Sequence, residues 1–228
     1  MACLNIAPYL IELREIVEIA IHEYTRLDEA ARRWYEIEQE LMEQAKSWDF
    51  GEQEFQAKLN DSPTRQTRIF NALSVFLAAW SRASLIIYPL GGDDDLVEFR
   101  LERGARLQHL LGLPGTSPIN NAALRDAWMH YDQHLDRAVR DGYWRTRQRF
   151  VLSSEATALK ATALRLVEAD TLIVRFRDAN GTQCSASLPE IAVALAVLQE
   201  RIPLAWDRLR GESEASGVDP MIDDIRFD

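Results

Sequence analysis

The segment Leu124–Ala138, LRDAWMHYDQHLDRA, holds the densest set of chemistry-bearing side chains in the chain. Arg125 is followed by a polar residue, Asp126, and after three more residues by His130. An imidazole titrates near neutral pH and can take and return a proton, while a guanidinium is permanently charged and offers phosphate oxygens a planar fork of donors. Such a pair suits RNA cleavage without a metal. The base removes the ribose 2'-hydroxyl proton, the oxygen attacks phosphorus, and the cation stabilises the developing charge. The structural alternative is that both residues make ordinary hydrogen bonds on a helix surface or interface. A second spaced pair, Arg103 and His109, has Gly104 after the arginine and lacks the polar second position. The 26 basic residues comprise 23 Arg and only Lys46, Lys58 and Lys160, so Arg-to-His spacing alone arises easily by chance. The polar residue after Arg125 separates the first pair from the second.

Arginine, a polar residue, three residues and histidine, leading into His-Tyr-Asp and His-Leu-Asp, resemble the signature of the HEPN superfamily. These are small helical-bundle proteins that include RNA-cleaving toxins and defence nucleases. The resemblance implies His130 as acid/base, Arg125 as phosphate clamp and Asp126 as the residue that orients or supports them. It also implies a site built across a homodimer, an RNA substrate, and a cognate antitoxin or other operon partner. A catalytically inactive member serving as a partner-binding module is the alternative. Nuclease members paired with nucleotidyltransferase antitoxins often carry a tyrosine two positions after the histidine. Here Asp132 stands there and Tyr131 directly follows His130, so that regulation is not carried over.

Helix geometry bears on the assignment. Asp126 and His130 are four apart and share a face, whereas Arg125 and His130 point about 140° from each other, so one helix alone presents the pair poorly. Two copies packed through this helix would let one arginine face the other histidine, which makes a homodimer part of the expectation. Asp126, His130 and His134 also recur every four residues, a spacing suited to zinc, with His22 or His109 as further ligands. No second ligand motif accompanies them, so neither metal nor cofactor is expected.

The formal net charge of -10 disfavours broad attraction to nucleic acid, so any RNA contact needs a local patch. Arg137, Arg140, Arg145, Arg147 and Arg149, interleaved with Tyr143, Trp144 and Phe150, form one; cations there would hold phosphates and rings would stack bases. The bland reading of the same residues is helix-end charge complementarity and solvation of a strand edge.

These residues must be positioned by helices. Leu10, Leu13, Val17, Ala20, Tyr24, Leu27, Ala31, Trp34, Leu41, Ala45 and Trp48 recur in steps of three and four, predicting one helix from Pro8 to Trp48. Such a helix runs about 60 Å, longer than a compact domain needs, which implies a partner helix or a second copy. Ser62-Pro63 opens a second helix to about Tyr88. Asp93, Asp94 and Asp95 begin a third, which Gly112 and Pro114 close; their acidity fits a helix start better than a metal site. Ser117-Pro118 opens a fourth, carrying the motif to about Gly142. The pattern then alternates: Leu172, Val174 and Phe176 face one way, a turn follows at Asp178–Gly181, and Thr182–Leu188 returns as a hairpin. One or two further strands fit within Gln148–Val167, although Glu155–Leu166 reads equally as helix. Pro189 starts a last helix, bent at Pro203.

The expected fold is therefore mainly α. An antiparallel four-helix bundle, HEPN-like by resemblance, occupies residues 1–142, and a small C-terminal α+β region with a β-hairpin packs on it over 143–210. An acidic tail over 211–228 is expected to be mobile. No run approaches the roughly 18 apolar residues of a membrane span, Glu12, Arg14 and Glu15 interrupt the N-terminus too early for a signal peptide, and Cys3 and Cys184 are isolated. A cytoplasmic location and no membrane partner are the expectation.

Overall fold

The computed structural model describes residues 5–46, 61–130, 149–154, 165–178 and 180–216, with Gln133, Asp136, Val139, Arg140 and Ala156 besides. Leu10, Leu13, Val17, Ala20, Leu27, Ala31, Trp34 and Leu41 are all buried along α1 (Ala7–Lys46), as a three- and four-residue apolar period requires. α2 (Ser62–Ile87) buries Ile69, Leu73, Phe76, Leu77, Trp80 and Ile87. Its stretch Thr64–Ile87 is long and apolar enough to cross a membrane by length and composition, and 56% of its apolar window is buried inside the protein. α3 (Val97–Leu111), α4 (Ala122–Met129) and α5 (Leu188–Ser216) follow, and Gln133, Asp136, Val139, Arg140, Ser153, Ser154 and Ala156 are helical as well.

Four strands form one mixed sheet in the order β1 (Arg149–Val151), β2 (Arg165–Glu168), β3 (Ile173–Arg177), β4 (Gln183–Ser187). β1 pairs parallel with β2, and the other two pairings are antiparallel. The expected hairpin is present: Val174 and Phe176 are buried, Phe176 faces Cys184 in register, and the Asp178 carboxylate accepts from Asn180 N and Thr182 N at 2.9 and 2.8 Å. Gly181, at φ 79°, takes the left-handed position of that turn.

The chain divides into two compact units, each drawn from separated stretches. The first comprises 1–21, 76–121 and 190–228. There Arg82 Nη2 bonds Glu12 Oε1 at 2.5 Å, Gln108 Nε2 donates to Ile87 O at 2.9 Å, and Arg103 donates to Leu85 O while lying 4.9 Å from the Tyr9 ring centre. α3 ends in a Schellman motif, with Gly112 at φ 60°, Gly112 N bonding His109 O and Leu113 N bonding Gln108 O. Two side chains from α5 satisfy its last carbonyls: Arg208 donates to Leu110 O at 2.7 Å and Arg201 to Gly112 O at 2.5 Å. Gly104 is required by packing, because a Cβ there would stand 2.5 Å from Pro89 Cδ.

The second unit comprises 22–75 and 122–189. Phe150 on β1 is buried edge-on against Trp34, ring centres 5.0 Å apart, with Phe70 at 6.4 Å. Buried Glu168 accepts from Arg175 Nε and, at 2.8 Å, from Thr171 Oγ1. The β2–β3 connection closes through Leu172 N to Glu168 O at 2.8 Å with Leu172 at φ 50°.

Four expectations change at this level. Leu172 is not the first residue of β3 but a left-handed turn residue, tolerated because its side chain is buried. The fourth helix begins at Ala122 rather than Ser117, since Ser117 Oγ accepts from Ile119 N and its carbonyl from Asn120 N, closing a separate turn. Of the acidic triplet, Asp94 organises the start of α3: its carboxylate accepts from Leu96 N at 3.0 Å and Arg100 Nη2 at 2.6 Å, which holds its pKa below the usual carboxyl range. Finally, Gly211–Ser216 continues α5 as helix, and residues 217–228 of the expected tail lie outside the described residues.

Candidate functional site

α4 presents the motif. Leu124, Arg125 and Ala127 are its buried side, with Arg125 only 3% exposed. Asp126 is half-buried, and Met129 and His130 are exposed. His130 sits in the turn that ends the helix, its N–H donating to Asp126 O at 3.0 Å, so Asp126 and His130 stand one turn apart as their spacing demands. Burial lowers the Arg125 pKa, yet a guanidinium remains a cation in a protein. It makes interactions within the fold and is not held out toward solvent. Within one chain, α4 thus turns Arg125 inward and His130 outward.

The end of α4 is held by a residue without motif signal in the sequence. Arg165, the first residue of β2 and 5% exposed, donates to Ala127 O and, at 3.3 Å, to Trp128 O. Its guanidinium lies 4.3 Å from the Trp128 ring centre. A buried cation on the last carbonyls of a helix satisfies orphan acceptors and opposes the negative end of the helix dipole. Arg165 therefore positions the turn that carries His130. It lies where strand and helix readings of the sequence compete, and long-range pairing supplies the only signal.

Of the expected RNA-contacting residues, Arg140 is helical and exposed, with interactions of its own. Arg137, Tyr143, Trp144, Arg145 and Arg147 lie outside the described residues, as do Tyr131, Asp132 and His134. Phe150 is a core residue against Trp34 and presents no ring face for a base. Among the described residues no cluster of three His, Cys, Asp or Glu side chains is arranged to hold a metal ion. Cys184 on β4 is a free thiol, and burial, followed by the nearby Asp178 charge, pushes its pKa up, so it is a poor nucleophile at neutral pH. Arg103 is half-buried and bonded, while His109 is exposed on α3.

One concavity escaped the sequence reading. Tyr24, Asp28, Arg32 and Tyr35, at three- and four-residue steps on α1, line a cleft of about 330 Å³ with Ala169–Leu172 and Pro189. Asp28 and Arg32, one turn apart on α1, form an ion pair within this lining, and burial followed by the Asp28 charge raises the Tyr24 pKa, leaving a protonated phenol. Asp170 is already engaged by Ser153 N and Oγ.

Comparison with family models, with curated proteins and with solved structures returned no match for this chain. The class defined by fold and site is a mainly helical protein with a small four-stranded mixed sheet in its C-terminal part.

Proposed function

We propose that this chain is a HEPN-like helical-bundle protein that works as a catalytically inactive, partner-binding module of a bacterial toxin-antitoxin or defence operon. The burial of Arg125 is the observation that carries this reading. A phosphate clamp must reach its ligand, and a guanidinium drawn into its own core reaches neither a bound phosphate nor the histidine of a second copy without opening α4. The net charge of -10 points the same way, since it opposes approach of a polyanion.

A metal-independent endoribonuclease is the second reading, favoured by the exposure of His130 beside Asp126. In that reading His130 is the acid/base of a homodimeric site, and Arg125 becomes available only on assembly with RNA.

Incubation of the purified protein with single-stranded RNA in EDTA separates the two. The partner-binding reading expects no cleavage above that of His130→Ala. Cleavage that His130→Ala abolishes would overturn it in favour of the ribonuclease.

A further inference from the structure

The β2–β3 turn is held in place by costly contacts. Leu172 takes a left-handed φ of 50°, which a bulky side chain rarely adopts. Leu172 N donates to Glu168 O, and Thr171 Oγ1 donates to the Glu168 carboxylate at 2.8 Å. Glu168 is itself buried and paired with Arg175. Asp170 accepts from Ser153 N at 3.0 Å and from Ser153 Oγ. A strained residue and a buried carboxylate are expensive in a short connection, and such strain concentrates where a backbone must hold the wall of a site.

On the other wall of the cleft stands a row of side chains on α1. Tyr24, Asp28, Arg32 and Tyr35 fall within about 80° of arc and span about 16 Å, in the order ring, carboxylate, guanidinium, ring. Ala169, Leu172 and Pro189 add apolar lining, and every one of these residues belongs to the second unit. The volume of about 330 Å³ lies at the small end of the range for small-molecule sites. The charges of the cleft are not used up. Among the described residues Arg32 bonds only to Asp28, through Nη2, so Nε and Nη1 of this 66% exposed side chain remain for another acceptor. Asp170 meets only the neutral donors of Ser153 among the described residues, so its negative charge faces no cation there.

We propose that this cleft binds a free α-amino acid with an aromatic side chain, its carboxylate on the open arm of Arg32, its ammonium on Asp170 and its ring against Tyr35. A ligand with only a negative charge is opposed by Asp28 and Asp170, and one with only a positive charge leaves the arm of Arg32 unanswered. A zwitterion answers both signs at once. None of these side chains belongs to the Arg125/His130 motif, so the site stands apart from the reading of α4.

The test is isothermal titration calorimetry of the full chain with probes that share a ring and differ in charge: L-phenylalanine, phenethylamine and 3-phenylpropionate. L-Phenylalanine should bind with a Kd below about 1 mM, and each singly charged probe at least tenfold more weakly. Arg32→Gln should weaken L-phenylalanine at least tenfold and erase its preference over phenethylamine. Asp170→Asn, which keeps an acceptor for Ser153, should erase the preference over 3-phenylpropionate. Because Arg32 is largely exposed, Arg32→Gln should keep the melting temperature, and it decides the matter even where Asp170→Asn disturbs the turn. No saturable binding of L-phenylalanine, equal binding of the probes, or binding indifferent to Arg32→Gln overturns the proposal.

Discussion

Arg125 and His130 are neighbours in sequence with opposite environments, and stability measurements should separate them. Truncating a buried, interacting guanidinium strands its partners, so Arg125→Ala should lower unfolding free energy by about 2–4 kcal/mol in urea denaturation. His130→Ala, at an exposed turn, should stay within about 0.5 kcal/mol of wild type. Equal, small effects would return Arg125 to the surface and revive the clamp. The motif was legible in the residues because type and spacing define it. The depth of Arg125 was not, because arginine in a helix most often lies at the surface and its neighbours Leu124 and Ala127 only hint at an inward face. Leu172 tells the same story. The alternation into Val174 and Phe176 reads through it, whereas the left-handed backbone appears only once Glu168 and Ile173 are brought into a hairpin.

At the scale of elements, apolar periodicity located α1, α2, α3 and the β3–β4 hairpin to within a few residues, since each buries one face and all but α1 are bounded by proline, glycine or an Asx turn. It failed where local turn chemistry competes, as at Ser117, and where an element depends on a distant partner, as at Arg165. Gly104 shows the limit well. In the sequence it is an unexplained helix-interior glycine, but α3 needs it to approach Pro89 and the Ile87 carbonyl. Gly104→Ala should therefore destabilise by about 1–3 kcal/mol despite alanine's better helix propensity. Gly115→Ala, where an added Cβ meets nothing within 4 Å, should leave the melting temperature nearly unchanged. A neutral Gly104→Ala would show that Pro89 can give way.

At the scale of the molecule, chain order and compactness part company. The first unit takes residues from 190 onward, and the second takes 122–189 together with segments of α1 and α2. A fragment ending at residue 142 lacks Ile191, Leu195, Leu198, Ile202 and Trp206 from one core and the whole sheet from the other. Such a fragment should show helical far-ultraviolet circular dichroism with loss of the near-ultraviolet signal and a broad melt. A sharp cooperative melt would instead establish 1–142 as a self-sufficient bundle.

What the residues determine by themselves here is local: helical and alternating periods, a helix start at Ser62-Pro63, a helix stop at Gly112, a turn at Gly181, a charge of -10, and an Arg/His pair of residue types suited to proton transfer and phosphate binding. Those follow from backbone sterics and side-chain type, which act over a few residues. The tertiary structure alone decides that Arg125 is inside and His130 outside, that Arg165 caps α4 from β2, and that the β2–β3 turn forms a cleft with α1. Burial is a property of what packs against a residue from far along the chain, and a local pattern carries no record of it.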